Sequence, residues 1–349
     1  MSHASVPSSA EPAEQPVRRT RVRSVGRRVL RGVVTTFLVV TVLSLTFNAL
    51  TTPPKRLDAP TGADVDVQLR DGRTISVHYE RWGDAASTQT PLVLVHGFAE
   101  STVSWSLVAP QLAKDRPVVA VDLAGSGYSQ YSGRYSLDDQ SDLVLGVVEA
   151  LQLDKPTLVG HSLGAAVVGA VALEHPDRIS GIVFADGDAL PFDGREGEPP
   201  AVASFIARTP YALSLYRLGT HWNWFPRRIF DAQCGSVCHG LQGAKGDALV
   251  DAWIRPLRQR VAEEAMFDTA DRPMLHLTPE QVRAIRVPRA VLWGEEDATG
   301  GGSREGAERN LGHPPSATVA NAGHLSMVAD PDGFVRALNG LLGRMTPAG

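Results

Sequence analysis

The spacing of apolar positions changes four times along the chain, and each change marks a different kind of structure. An uncharged run from Gly32 to Leu50 comes first. From Val65 to Leu69 and from Ile75 to Glu80 apolar and polar residues alternate around a turn at Asp71-Gly72, which predicts a hairpin of two strands. Unbroken apolar runs follow at Pro91 to Val95, Pro117 to Val121, Thr157 to Val159 and Ile179 to Ala185, with helical patterns at Leu137 to Leu151 and Leu163 to Glu174 between them. Strands that are apolar on both faces are covered on both faces, and strands alternating with helices form a mostly parallel sheet. The rhythm stops after Asp188. Residues 191–285 are rich in proline, arginine and tryptophan, with helical pieces near Ala201 to Ala207, Tyr211 to Leu218 and Ala248 to Met266. Strand signals resume at Arg289 to Trp293 and Ala317 to Val319, and a helix near Met327 to Leu342 closes the chain. The expected organisation is an α/β core over 64–190 and 286–343 with an inserted helical cap over 191–285. An irregular excursion packed on one side of the sheet is the alternative.

The charge distribution sets the N-terminal segment apart. The net charge is −4, yet residues 1–56 hold nine Lys/Arg against two acids, which leaves −11 for the rest. No basic patch for nucleic acid is evident there. Residues 1–31 read as a disordered basic cytoplasmic tail, and 32–50 as a transmembrane signal anchor. Its 19 residues make a helix of about 28 Å, close to the hydrocarbon thickness of a bilayer. The arginines before it favour a cytoplasmic N-terminus, with the folded part extracytoplasmic and the protein in the cell membrane. A cleaved signal that releases a secreted protein is the competing reading, although Phe47-Asn48-Ala49 is a poor small-x-small site. Pro53, Pro54, Pro60 and Gly62 make residues 51–63 a linker. Outside the cytoplasm Cys234 and Cys238 form a plausible local disulfide; free thiols, or a metal site with His239, are the other readings, and the second ligand pair that structural zinc needs is missing.

Chemistry concentrates at Gly160-His161-Ser162-Leu163-Gly164, where a strand turns sharply into a helix with a serine at the bend. Glycines on either side let the two elements approach closely and leave the hydroxyl standing clear of the sheet. A serine hydroxyl needs a base within hydrogen-bond reach, itself oriented by an acid. His324 in Asn321-Ala322-Gly323-His324 is the expected base, and Asp297 in Trp293-Gly294-Glu295-Glu296-Asp297 the expected acid, with Asp186 and Asp188 as alternatives. The N–H groups of Leu163 and Phe98 are the expected oxyanion donors. His96 and His161 read as structural residues, and Asp122 as a turn cap.

These segments resemble α/β-hydrolase fold proteins of the single-cap type, a group that includes epoxide hydrolases, haloalkane dehalogenases, C–C bond hydrolases and small-molecule esterases. The resemblance spans about residues 65–343. It rests on His96-Gly97-Phe98 with Trp105 downstream, Asp122-Leu123-Ala124-Gly125-Ser126-Gly127-Tyr128-Ser129, the 160–164 elbow, Trp293 to Asp297 and Gly323-His324. Epoxide hydrolases and dehalogenases of this type carry aspartate at the elbow centre, so Ser162 argues against both. The resemblance implies an eight-stranded, mostly parallel sheet with helices on both faces, no cofactor and no metal. It implies a serine hydrolase that cleaves a carboxylester of a small or medium apolar substrate through an acyl-enzyme. A C–C bond hydrolase or cofactor-free haloperoxidase with the same three residues, and a non-catalytic binding module, are the alternatives. Trp105, Trp222, Trp224 and Phe225 are the candidate pocket residues, with ordinary packing as the other reading.

Overall fold

The computed structural model describes residues 19–191, 201–222, 224–270, 275–299 and 302–345. The chain divides into two compact units, Met1–Leu50 and Thr51–Gly349.

Among the described residues of the first unit there is one helix, α1 (Arg19–Leu50). Residues 19–31 of the expected tail are therefore helical, and residues 1–18 lie outside the described residues. Arginine is a strong helix former, and extending an existing helix costs far less than starting one, so the apolar run carries its basic flank with it. Arg27–Leu50 is long and apolar enough, by length and composition, to cross a membrane. A signal sequence meets the same criterion.

The second unit starts with the hairpin β1 (Ala63–Gln68) and β2 (Thr74–Trp82), then β3 (Leu92–Val95), α2 (Ala109–Leu112) and β4 (Val118–Val121). It continues through α3 (Leu137–Ala150), β5 (Thr157–His161), α4 (Gly164–Glu174) and β6 (Gly181–Ala185). Between β6 and β7 lie α5 (Ala201–Ala207), α6 (Pro210–His221), α7 (Trp224–Cys234), α8 (Gly243–Ile254), α9 (Arg260–Ala270) and α10 (Pro279–Ala284). The chain closes with β7 (Arg289–Gly294), α11 (Arg304–Asn310), β8 (Ser316–Val319), α12 (Ser326–Ala329) and α13 (Pro331–Leu342). The eight strands form one sheet in the order β1-β2-β4-β3-β5-β6-β7-β8. β2 runs antiparallel to both of its neighbours, and all other pairs are parallel.

Successive side chains of a strand point to opposite faces, and in β3 to β6 both faces are buried. Val93 and Val95 of β3, with Val119 and Val121 of β4, join the core under α3 and α4. Leu92 and Leu94, with Val118 and Ala120, join a second core that contains Trp105 and Phe334. The unbroken apolar runs in the sequence have this cause.

Two local expectations are corrected. Residues 51–63 are not a free linker: the Pro54 carbonyl accepts the Arg260 N–H at 2.9 Å, the Leu57 N–H donates to Gln259 at 2.8 Å, and Arg56 Nε donates to the Tyr128 carbonyl at 2.6 Å. Proline removes a donor but keeps its carbonyl, so a proline-rich strap can still be tied down. The closing helix is broken into α12 and α13 because Pro331 cannot continue a helix, and the Asp330 side chain caps the new one through the Gly333 N–H at 3.0 Å. A further helix, α11, starts at Ser303, whose hydroxyl accepts the Gly306 N–H.

Candidate active site

Ser162 sits between β5 and α4 with φ of +52°, a left-handed conformation that side chains other than glycine rarely adopt. Its N–H donates to the Ala185 carbonyl at 2.9 Å, which pins the bend to β6. The bend closes only because the flanking residues lack Cβ atoms: one added at Gly160 would lie 2.3 Å from the Gly164 carbonyl oxygen. Strain of this kind persists where the surrounding structure overdetermines it.

The loops that follow β7 and β8 deliver the other two residues. His324 Nε2 lies 3.0 Å from Ser162 Oγ, and His324 Nδ1 lies 2.9 Å from Asp297 Oδ2. Asp297 Oδ1 accepts the Thr299 N–H at 3.0 Å and the Thr299 hydroxyl at 2.8 Å. Burial alone would raise the Asp297 carboxyl, but the bonds from His324 and Thr299 outweigh it and hold the group below its ordinary value. Asp297 is therefore ionised at neutral pH, faces Nδ1–H and leaves Nε2 free to accept the Ser162 proton. Asp186 and Asp188 take other partners. Asp186 accepts the Gly294 N–H at 2.5 Å and the Ser326 hydroxyl, and Asp188 accepts the Leu190 N–H at 3.0 Å. Asp122 accepts the N–H groups of Thr102 at 2.6 Å and Tyr128 at 2.8 Å, both turn-forming bonds.

The loop after β3 runs past the hydroxyl. His96 holds it, donating from Nδ1 to the Gly97 carbonyl at 2.8 Å and accepting the Leu123 N–H on Nε2 at 3.0 Å. The backbone N–H groups of Phe98 and Leu163 donate to no other group among the described residues.

Ser162, Phe98 and His324 open onto a cavity of about 530 Å³ walled by Leu215, Phe225, Ile229, Phe230 and Trp253. Of the candidate pocket residues only Phe225 lines it. Trp105 is fully buried beneath the sheet, edge-on to His161 at 6.3 Å and against Phe334 at 6.1 Å. Trp222 and Trp224 face solvent at 51% and 62% exposure. Helical phase explains the difference, since Phe225 and Ile229 share a face of α7 while Trp224 stands about 100° away from Phe225. Cys234, at the end of α7, is joined to Cys238 in a disulfide.

A buried charge pair behind the site went unread in the sequence. His161 Nδ1 lies 2.9 Å from Glu100 Oε1, a contact between charges not aimed as a hydrogen bond, while Nε2 donates to the His324 carbonyl at 2.8 Å. Burial disfavours both charges, yet Glu100 pushes the His161 imidazole up to about 9 and His161 holds the Glu100 carboxyl well below its ordinary value. A raised imidazole pKa stabilises the folded chain fully below its unfolded value of about 6.5 and loses that contribution as pH rises through about 9. Glu100→Gln should therefore cost about 3 kcal/mol at pH 6, where an unpaired buried cation is left behind. The melting-temperature gap to wild type should narrow at pH 9.5. An equal gap at both pH values would contradict the pairing.

Residues 90–234 match the family model described as alpha/beta hydrolase fold. A Bacillus subtilis (strain 168) protein named as an uncharacterized hydrolase, YugF, is 28% identical over 229 residues, covering 64% of this chain and 78% of that protein. The 2-hydroxymuconate semialdehyde hydrolase of Pseudomonas sp. (strain CF600) is 36% identical over 112 residues, 31% of this chain and 40% of that one. A solved thermophilic esterase from Thermogutta terrifontis has a similar fold, with a TM-score of 0.63 at 23% identity over 81% of this chain and 100% of the esterase. Strand order and sequence match agree, and the chain has the α/β-hydrolase fold.

Proposed function

We propose that the protein is a serine hydrolase that cleaves carboxylesters of small or medium apolar acids. The observation that carries this reading is the continuous relay from Ser162 through His324 to Asp297, at 3.0 and 2.9 Å, opening onto an apolar cavity. Ser162 Oγ attacks the acyl carbon as its proton passes to His324 Nε2, and the N–H groups of Phe98 and Leu163 receive the oxyanion. His324 returns the proton to the departing alkoxide, which leaves an acyl-Ser162 ester. Water, deprotonated by His324, then attacks that ester; the acid departs and the proton goes back to Ser162. Asp297 stays ionised and steadies the imidazolium in both halves.

C–C bond hydrolysis is the second reading, favoured by the 36% identity to a 2-hydroxymuconate semialdehyde hydrolase. A muconate carries a carboxylate, and no lysine or arginine lines the cavity among the described residues. A neutral ester suits that lining better, because a buried anion without a partner is costly. In the same proposal Arg27–Leu50 crosses a bilayer with the arginine-rich flank on the cytoplasmic side, which puts the catalytic unit where the disulfide is stable.

The test is turnover of p-nitrophenyl esters from acetate to decanoate by the full chain in micelles. Higher kcat/KM for the longer apolar acids is expected. No turnover of any ester, with cleavage of a vinylogous 1,5-diketone acid, would transfer the protein to the second reading.

A further inference from the structure

Soluble proteins scatter their exposed apolar side chains singly, and contiguous apolar patches mark binding surfaces. In the second unit the exposed large apolar side chains are not scattered. Among its described residues all of them fall within 202–229, on α5, α6 and α7 or, for Trp222, at the end of α6. Val202, Phe205 and Ile206 share one face of α5 at i, i+3 and i+4 spacing, and Phe205 is 71% exposed. Leu215, Phe225 and Ile229 are exposed on α6 and α7 and also line the cavity above Ser162, so this part of the apolar surface opens into the candidate site.

We propose that this face of α5–α7 docks on a lipid bilayer and admits the apolar substrate from it. The route of entry rests on the ester-hydrolase reading; the docking does not. Chain length argues for a bilayer over other occupants. The candidate span ends at Leu50, and the Pro54 carbonyl is already fixed to the Arg260 N–H at the start of α9. Four residues of extended chain reach at most roughly 14 Å. Lys55 and Leu57 repeat the attachment, through bonds to Val261 and Gln259 at 3.2 and 2.8 Å. A helix embedded in the membrane would thus hold the cap within a short tether of the headgroups. α5 and α9 are neighbours, and so are α5, α6 and α7 in turn, which puts the apolar face on the tethered part of the unit. Residues 201–230 include four arginines and no acid, so nothing on them repels anionic lipid. Trp222 and Trp224, both exposed, belong to the residue type that settles at the headgroup level.

The tryptophans supply the readout. The chain has six, none of them in Arg27–Leu50, so quenching by lipid reports on the second unit alone. Full-length protein in phosphatidylcholine vesicles should lose about a third of its tryptophan fluorescence when the lipid is replaced by its brominated form, the share of two rings in six at the interface. A Val202→Glu/Phe205→Glu variant should lose most of that quenching. It should hydrolyse a water-soluble acetate within twofold of wild type and a long-chain ester carried in the vesicles about tenfold more slowly. Equal fluorescence in the two lipids, or quenching unchanged in the variant, would overturn the docking. Energy transfer between labelled copies without lipid quenching would give the face to a second copy and overturn it too. Ser162→Ala keeps the two readings apart: it should keep the quenching and lose hydrolysis, and hydrolysis that survives it would count against the ester mechanism only.

Discussion

Ser162→Ala should lower ester turnover by roughly four to six orders of magnitude while the protein stays folded. The alanine keeps the backbone at φ +52° and removes only the oxygen that faces His324 at 3.0 Å. In the proposed mechanism the variant would still bind an ester and polarise its carbonyl at Phe98 and Leu163, which should leave some rate over water. Asp297→Asn should cost about four orders of magnitude by a different route, because an amide opposite Nδ1 favours the wrong tautomer of His324. In the proposed mechanism the three groups act as one unit, so the double variant should be no slower than Ser162→Ala alone. Multiplicative losses would mean that Ser162 and Asp297 work independently, and the relay would have to be abandoned. Rate measurements on the single and double variants, with folding checked by circular dichroism, decide between these outcomes.

Gly164→Ala should have a large effect on stability. A Cβ there would meet the Val95 carbonyl oxygen at 2.5 Å and that of His96 at 2.7 Å, both backbone atoms at the end of β3 that no rotamer change can move. The start of α4 would have to retreat from the loop that carries Phe98. The expected cost is about 3 kcal/mol or more, or roughly 6 °C in Tm. Gly340→Ala supplies the control. Nothing lies within 4 Å of a Cβ at Gly340 on α13, so there the methyl should add helix propensity and stabilise by about 0.5–1 kcal/mol. Similar effects at the two positions would show that close approach at the elbow is not what Gly164 provides.

The centre of the sheet was legible because β3 to β6 are buried on both faces. Runs such as Leu92-Val93-Leu94-Val95 leave no polar face to confuse with a helix, and β1 and β2 are signalled by the Asp71-Gly72 turn. Ser162, Asp297 and His324 could be singled out as candidates from sequence because each lies just beyond the C-terminal end of a strand, where the loops of a parallel sheet gather, and the structure brings the three side chains together. Legibility failed where stability comes from contacts remote in sequence. The Arg304–Asn310 segment has little apolar periodicity, and α11 relies on its Ser303 cap and on packing against β7. Glu100 and His161 are 61 positions apart, and nothing local marks a carboxylate in the 96–101 loop as the partner of a histidine on β5. Trp105 looked like a pocket residue because it follows the loop after β3; the turn at Thr102–Trp105 instead sends it under the sheet. The strap at 51–63 reads as a linker from its prolines, and only its long-range bonds to Arg260 and Gln259 reveal it.

The central claim is that Ser162 is the nucleophile, and covalent trapping tests it most directly. Full-length protein treated with a fluorophosphonate probe and mapped by peptide mass spectrometry should carry one adduct, on Ser162. Labelling should slow in the presence of a competing ester and vanish in His324→Ala. An adduct on another serine, or equally strong labelling of Ser162→Ala, would contradict the account.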